Sequence, residues 1–395
     1  MSQVIAVYAS ESPPEAYDGS IFLAGPTPRD SQTPSWRPEA LRILEGLPGL
    51  PEILTVFIPE ARDGSRQADY EDQITWEDRF LAIADVIAFW VPREMGSMPA
   101  LTTNVEFGRY EASGRAVLGF PPGAAHVRYL ESFASANGVP VLGSLSETLT
   151  AALTMIGPGA RRAGGARDVP LLLWRDRVFT NWLAAQEAAG NRLERAGIRW
   201  VSRIGPERRV FFWAFVAQVY VGAEDRVKDP EVVFGRLDLS LVVAYRRANN
   251  IADTTVVLVR EFRTPAVTSS GFVLELPGGS DPEMADPRAL AQAELAQETG
   301  LDLDAGRLIE HPSRQLMATM SAHRAHLFSV ELSASEMENL IADTKIHGQA
   351  IDTEQTYVQV RSFGELLSGA EVDWSTLGEI AQVLYTGTLE DDLFG

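Results

Sequence analysis

Four acidic side chains in two short stretches have the types and spacing to do chemistry. WEDRFLAIAD (76–85) carries Glu77, Asp78 and Asp85 on a helical pattern that leads into an apolar run, and LTTNVEFGRY (101–110) carries Glu106 in the first turns of the next helix. A carboxylate near a helix N-terminus is stabilised as the anion, which keeps it available as a nucleophile. A second acid in the same pocket can hand a proton to a leaving group. Ahead of both, FLAGPTPR (22–29) places Gly25 and Pro26 after a strand, where backbone amides can approach a ligand and Arg29 can meet a phosphate or carboxylate.

A second constellation lies in LELPGGSDPEMADPRALAQAELAQETGL (274–301), which reads as strand, glycine turn and helix. Asp286 fits the N-cap, Pro287 the first helical position and Gly300 the left-handed residue after the last turn. Glu294 and Glu298 are four apart with Gln297 between them, so three oxygen-bearing side chains fall within about one turn. Such donors beside the turn at Gly278 suit a hard cation, magnesium above all, held against a diphosphate.

Positioning the first constellation requires alternating strands and helices. Apolar runs at 20–23, 54–58, 86–91, 116–120 and 139–142 are separated by helical patterns near 36–45, 70–84, 103–112, 127–136 and 145–156. This predicts a five-stranded, doubly wound parallel sheet, and Ser144-x-x-Glu147 caps its last helix. Ligands of such sheets sit at the carboxyl ends of the strands, so the loops 24–29, 59–62, 92–104 and 121–125 should form one pocket. The following GPGARRAGGARDVP (157–170) is rich in glycine, arginine and alanine with little to bury, and reads as a connector. Beyond it, 177–193 reads as helix, 211–222 as strand and 353–369 as strand then helix, before an acidic tail at 389–395.

A chain of 395 residues is too long for one ordinary core and implies two or three domains. Its apolar content of 45% is that of a soluble globular protein, no apolar run has membrane length, and the first residues lack the basic flank and cleavage site of a signal peptide. A cytoplasmic protein without membrane partners is expected. With no cysteine there are no disulfides, thiol catalysis or cysteine-ligated zinc, and five scattered histidines offer no HExxH cluster. A net charge of −20 argues against nucleic acid as a partner and leaves small anionic ligands open, since a local patch or a metal can override the global field.

Over roughly 20–121, these motifs resemble the nucleoside 2-deoxyribosyltransferase family and its looser relatives. There a glutamate in a Glu-apolar-Gly-aromatic motif attacks the anomeric carbon and expels the base; Glu106-Phe107-Gly108 matches it, with Arg109 before Tyr110. Breaking an N-glycosidic bond builds an oxocarbenium-like centre that one carboxylate can capture while a second acid protonates the base. The resemblance implies a catalytic set of Glu106, Glu77, Asp78 and Asp85, and substrate contacts from Gly25, Pro26, Arg29, Asn104 and Tyr110. The family's tyrosine near the first strand is Phe22 here, and its acidic residue shortly before the nucleophile falls near Ala100.

The stretch 274–301 resembles the Nudix box, anchored on Gly279, Glu294, Leu295, Glu298, Gly300 and Leu301. The box's early glutamate falls on Ala285, its arginine on Ala293 and the first glutamate of its pair on Gln297. VVLVREFRTPA (256–266), ELPGG (275–279) and AHLFSVEL (325–332) are similar to the ADP-ribose pyrophosphatase branch, with His323 where that branch carries a loop glutamate. This resemblance implies a metal site of Glu294, Glu298, Gln297 and Gly278 that holds magnesium weakly, a substrate contact from Arg263, slow or absent hydrolysis of a nucleoside diphosphate derivative, and a homodimer. The expected fold class is α/β: an N-terminal five-stranded doubly wound parallel sheet of flavodoxin-like kind over 1–158, a linker at 159–170, and an α/β/α Nudix fold with a mixed sheet and an N-terminal extension over 171–395. The function expected is N-glycosidic cleavage or transfer on small nucleosides or nucleotides. The alternative is a nucleotide sensor without turnover, built from two degenerate enzyme folds.

Overall fold

The computed structural model describes residues 2–29, 32–63, 70–205, 208–284, 286–348 and 355–394, so Ala285 lies outside the described residues. The chain forms two compact units, Met1–Phe234 and Gly235–Gly395.

The first unit is built on six parallel strands: β1 (Gln3–Tyr8), β2 (Gly19–Ala24), β3 (Ile53–Ile58), β4 (Val86–Trp90), β5 (Ala116–Gly119) and β6 (Val141–Leu142), in the order β1-β3-β2-β4-β5-β6. The sequence pattern predicts five of these. The sixth, β1, pairs with β3 at the sheet edge and is only half buried, so QVIAVY lacks the continuous apolar run of its neighbours. Five helices cover both faces: α1 (Arg37–Gly46), α2 (Tyr70–Ile83), α3 (Leu101–Tyr110), α4 (Arg128–Asn137) and α5 (Leu145–Ile156). Alternate strand residues divide between the layers. Phe22, Ile87 and Phe89 pack with Trp76 and Phe80 of α2, Phe107 of α3 and Leu130 of α4. Ile21, Leu23, Ala88 and Trp90 pack with Ala40 and Leu44 of α1 and Leu149 and Ala152 of α5.

From β2 the chain moves outward to β3 and then returns to β4 on the other side. That reversal opens a crevice at the carboxyl ends of β2 and β4. Gly25 is required there, because a Cβ at this position would come within 2.2 Å of the Trp90 carbonyl oxygen.

The stretch 157–170 does not run as a free connector. Ala160 N–H donates to the Asp18 carbonyl at 2.8 Å, Arg162 is 1% exposed, and Gly165 packs so closely on Leu193 that a Cβ would meet its carbonyl oxygen at 2.3 Å. Composition cannot register this, since the groups that order the stretch are distant in sequence. The helix α6 (Arg177–Ala188), capped by Asp176, and the antiparallel hairpin β7 (Arg192–Ile204) and β8 (Arg209–Val221) continue the same unit to Phe234.

The second unit holds an eight-stranded mixed sheet. At its centre β9 (Leu239–Arg246) runs parallel to a strand at Arg324–Glu331 and antiparallel to β10 (Thr255–Phe262). On one face Val242 and Ala244 of β9 pack with Ala291 and Leu295 of α7 (Pro287–Thr299) and with Met337 and Leu340 of α8 (Ala334–Ile341). On the other, Val243 and Tyr245 pack with Phe363 and Leu366 of α9 (Phe363–Ser368) and Ile380 and Leu384 of α10 (Trp374–Phe394). As read from the sequence, Asp286 caps α7, Pro287 starts it and Gly300 ends it with φ of 71°. Among the described residues no helix is long and apolar enough to cross a membrane.

Candidate active site

Helices α2 and α3 pack on the same face of the first sheet, and the side on which Glu77 of α2 lies near enough to Glu106 of α3 for its charge to act is the carboxylate groove. Glu106 of α3 is partly exposed by surface area, yet protein crowds it closely enough that desolvation dominates. Its carboxyl is pushed up to about 7, first by burial and then by the charge of Glu77, against the pull of Arg37. Burial also raises Glu77, opposed by a hydrogen bond donated by Gln73 Nε2 at 2.8 Å and by Arg37. Two carboxyls that repel one another in a poorly solvated groove titrate as a pair and keep one proton near neutrality. One anion and one acid side by side are what a glycosyl transfer with a covalent intermediate requires.

The helix dipole is not what prepares Glu106. α3 begins at Leu101, two residues before its expected start, which puts Glu106 in the sixth position and beyond the first turn where the dipole acts. Burial and like charge win, and the carboxyl moves up instead of down.

Arg37, which sequence reasoning missed, organises the loop after β2. It is buried at the start of α1 and donates to the carbonyls of Leu23 (3.2 Å), Gly25 (2.8 Å) and Pro26 (3.4 Å), to Thr27 Oγ1 (3.2 Å) and to Glu60 Oε1 (2.5 Å). Trp36 Nε1 adds a bond to the Pro26 carbonyl at 3.1 Å. Gly25 and Pro26 are thereby fixed at the crevice, and Arg29, exposed, ties its backbone N–H to the Ser97 carbonyl at 3.0 Å across from it. One signal for Arg37 was available. A cation in the first turn of a helix opposes the dipole, so it needs acceptors elsewhere.

Other expected site residues lie apart from the groove. Asp78 turns outward and pairs with Arg109 at 2.6 Å, both about half exposed, an ion pair of little energetic weight. Tyr110 is buried in the core under α3, and Phe22 is likewise core, packed on Trp76. Asn104 is two residues from Glu106, about 200° around the helix, and accepts a close hydrogen bond from Arg93 on the far side of α3. Asp85 is at the amino end of β4, the opposite end of the sheet from Glu106. Its carboxylate, 4% exposed, takes both guanidinium nitrogens of Arg162 at 2.6 Å, the Ser20 N–H at 2.7 Å and hydroxyl at 3.0 Å, and the Leu171 N–H at 2.6 Å. Every oxygen is occupied, so Asp85 is a structural clamp and not a catalytic acid.

In the second unit Glu298 is buried and accepts the Gly278 N–H at 2.9 Å. Glu294 covers Gly279 so tightly that a Cβ there would meet its Oε1 at 2.3 Å. Gln297 is half-buried on the same helix, Ala293 is exposed, and Arg263 pairs with Glu275 at 2.7 Å and Glu261 at 2.8 Å. Magnesium held by protein oxygens needs several well-placed carboxylates or waters. Among the described residues no group of three or more histidine, aspartate or glutamate side chains is arranged for a metal, and one of the two carboxylates here already serves a backbone amide. The donor set does not fit tightly bound magnesium.

Residues 18–124 match the family described as "Nucleoside 2-deoxyribosyltransferase like". No curated protein matches the chain. The matched stretch contains Arg37, Glu77 and Glu106 and ends before the second unit begins. Over these residues the chain carries a nucleoside 2-deoxyribosyltransferase-like domain, which supports a glycosyl-transfer role at the level of reaction class.

Proposed function

We propose that the first unit cleaves, or transfers from, the N-glycosidic bond of a nucleoside or nucleotide, with Glu106 as nucleophile and Glu77 as its acid partner. The observation that carries this is Glu106, desolvated and raised further by the charge of Glu77, with Glu77 itself raised by burial, both within the matched residues. In the first step the Glu106 carboxylate attacks the anomeric carbon, the carbon–nitrogen bond breaks with its electrons on the base, and the Glu77 proton goes to the base. In the second, water or another base displaces the carboxylate and returns a proton to Glu77. Substrate decides which of the pair is ionised, because the positive charge that develops on the sugar favours the anion nearer to it. The strand order supports a flavodoxin-like sheet, since without the edge strand β1 it runs 2-1-3-4-5. The test is chromatography of free base released from a nucleoside and nucleotide panel, with mass spectrometry of the quenched protein. A sugar adduct on the peptide carrying Glu106 supports the reading; an adduct on Glu77 reverses the roles, and no base release from any member leaves only a sensor.

For the second unit the Nudix-like reading rests on Glu294 and Glu298 meeting the Gly278–Gly279 turn from one helix face. A nucleoside diphosphate derivative such as ADP-ribose binds there, with magnesium weak and hydrolysis slow or absent. Restoring the box with Gln297→Glu and Ala293→Arg should raise hydrolysis of ADP-ribose measured by phosphate-coupled assay. Wild-type turnover at a typical enzymatic rate of ~10 per second would show that the lost positions do not matter.

A further inference from the structure

On the other side of α3, facing α4, is a cavity of about 550 Å³ that the glycosyl chemistry does not use. Its wall is mostly apolar, from Leu101 of α3 and Tyr129, Leu130 and Phe133 of α4, and at its edge Tyr129 and Phe133 meet edge-to-face with ring centroids 6.1 Å apart. Its volume falls in the ordinary range for small-molecule sites. Tyr129 is 77% exposed, so the aromatic edge is open to solvent.

One charged group lines this cavity among the apolar ones. Arg93, 6% exposed, follows β4 and donates to the His126 carbonyl at 2.7 Å, the Ala125 carbonyl at 3.5 Å, the Ala100 carbonyl at 3.4 Å and, closely, to Asn104 Oδ1. All four acceptors are neutral. The Nε is buried with no hydrogen-bond partner among the described residues. A buried guanidinium is costly unless it meets an anion, and an unsatisfied buried donor adds to that cost. Burial pulls the Arg93 guanidinium downward from its ordinary value, and among the described residues no acidic neighbour opposes it.

We infer that this cavity is a second binding site, for a small organic anion with an apolar or aromatic body: the body lies against Leu101, Leu130 and Phe133, and the anionic group meets Arg93. Because Asn104 and Glu106 stand about 200° apart on α3, the site is separate from the carboxylate groove. It is also independent of the glycosyl-transfer reading.

The probes are 8-anilinonaphthalene-1-sulfonate, which joins a sulfonate to an aromatic body, and N-phenyl-1-naphthylamine, the same body without the charge. Fluorescence titration of the full chain should give one tight site per chain for the sulfonate, at least about tenfold tighter than for the neutral probe, as a charge-assisted hydrogen bond allows. Arg93→Met should bring the two probes to equal affinity. Should that variant fail to fold, Phe133→Glu decides: it adds a carboxylate at the exposed edge and should weaken the sulfonate about tenfold while weakening the neutral probe less. Glu106→Gln should bind the sulfonate as wild type does. Equal affinities of the two probes for wild type, an unchanged sulfonate affinity in Phe133→Glu, or loss of the site in Glu106→Gln would each overturn the inference.

Discussion

The two ends of the first unit's sheet treat carboxylates in opposite ways. At the amino end Asp85 is almost fully buried and every oxygen has a donor, with both guanidinium nitrogens of Arg162 at 2.6 Å. At the carboxyl end Glu106 is partly exposed, faces a second glutamate and has its carboxyl driven to about 7. Burial alone therefore does not mark a working acid. A satisfied carboxylate locks three chain segments together, whereas one crowded by a like charge stores the readiness to give or take a proton. The two should respond differently to the same substitution.

The largest separation is expected in activity. Glu106→Ala should fold, and base release should fall roughly 10³-fold or more, because nucleophile and facing charge go together. Base release in Glu106→Ala equal to that of wild type would remove Glu106 from the nucleophile's place. Asp85→Asn should act on stability instead. It leaves Arg162 buried beside a neutral group, a loss of roughly 3–5 kcal/mol, or about 10 °C in melting temperature for a unit of this size. Adding Arg162→Met should recover part of that loss, since the double variant buries no unpaired charge. If thermal melts show Asp85→Asn unchanged in stability but inactive, the assignment of the two ends is inverted.

A smaller effect lies within the groove. Base release should fall as the pH rises through about 7, where the pair loses the shared proton that the departing base must receive. Glu77→Gln removes both that acid and the like charge that helps raise Glu106, so the maximum rate should drop and the falling limb near 7 should disappear. A falling limb that stays near 7 in Glu77→Gln would mean that Glu77 does not share the proton lost there.

What the sequence made legible was local. Asp286, Pro287 and Gly300 delimit α7 through caps a few residues long, Ser144 caps α5 in the same way, and the buried strands announce themselves as apolar runs. What it hid was long-range or depended on one turn of phase. Arg162 finds Asp85 across 77 residues, so an arginine in a glycine-rich stretch looked solvated. A fragment cut near 160 would strip Asp85 of Arg162 and of the Leu171 amide, whereas 1–234 keeps both. The start of α3 at Leu101 moved Glu106 out of reach of the dipole. Asn104 was recoverable by helical arithmetic alone, since residues two apart cannot share a face.

The smallest effect tests why Glu106 is poised at all. Its carboxyl titrates near 7 in the folded chain against an ordinary value of 4.5, so the folded state holds the proton more tightly than the unfolded one. The stability tied to that proton is fully present below about 4.5 and is lost as the pH rises through about 7. Glutamine keeps the shape and cannot ionise. The melting temperature of Glu106→Gln should therefore exceed that of wild type by a margin that grows between pH 5 and pH 8, from near zero to a few degrees, modest because the side chain is partly exposed and screened. Melts of both proteins at four pH values suffice, and a margin that stays flat would mean that Glu106 has no raised carboxyl. Its readiness would then have to come from substrate alone, and the contrast with Asp85 would reduce to solvent access.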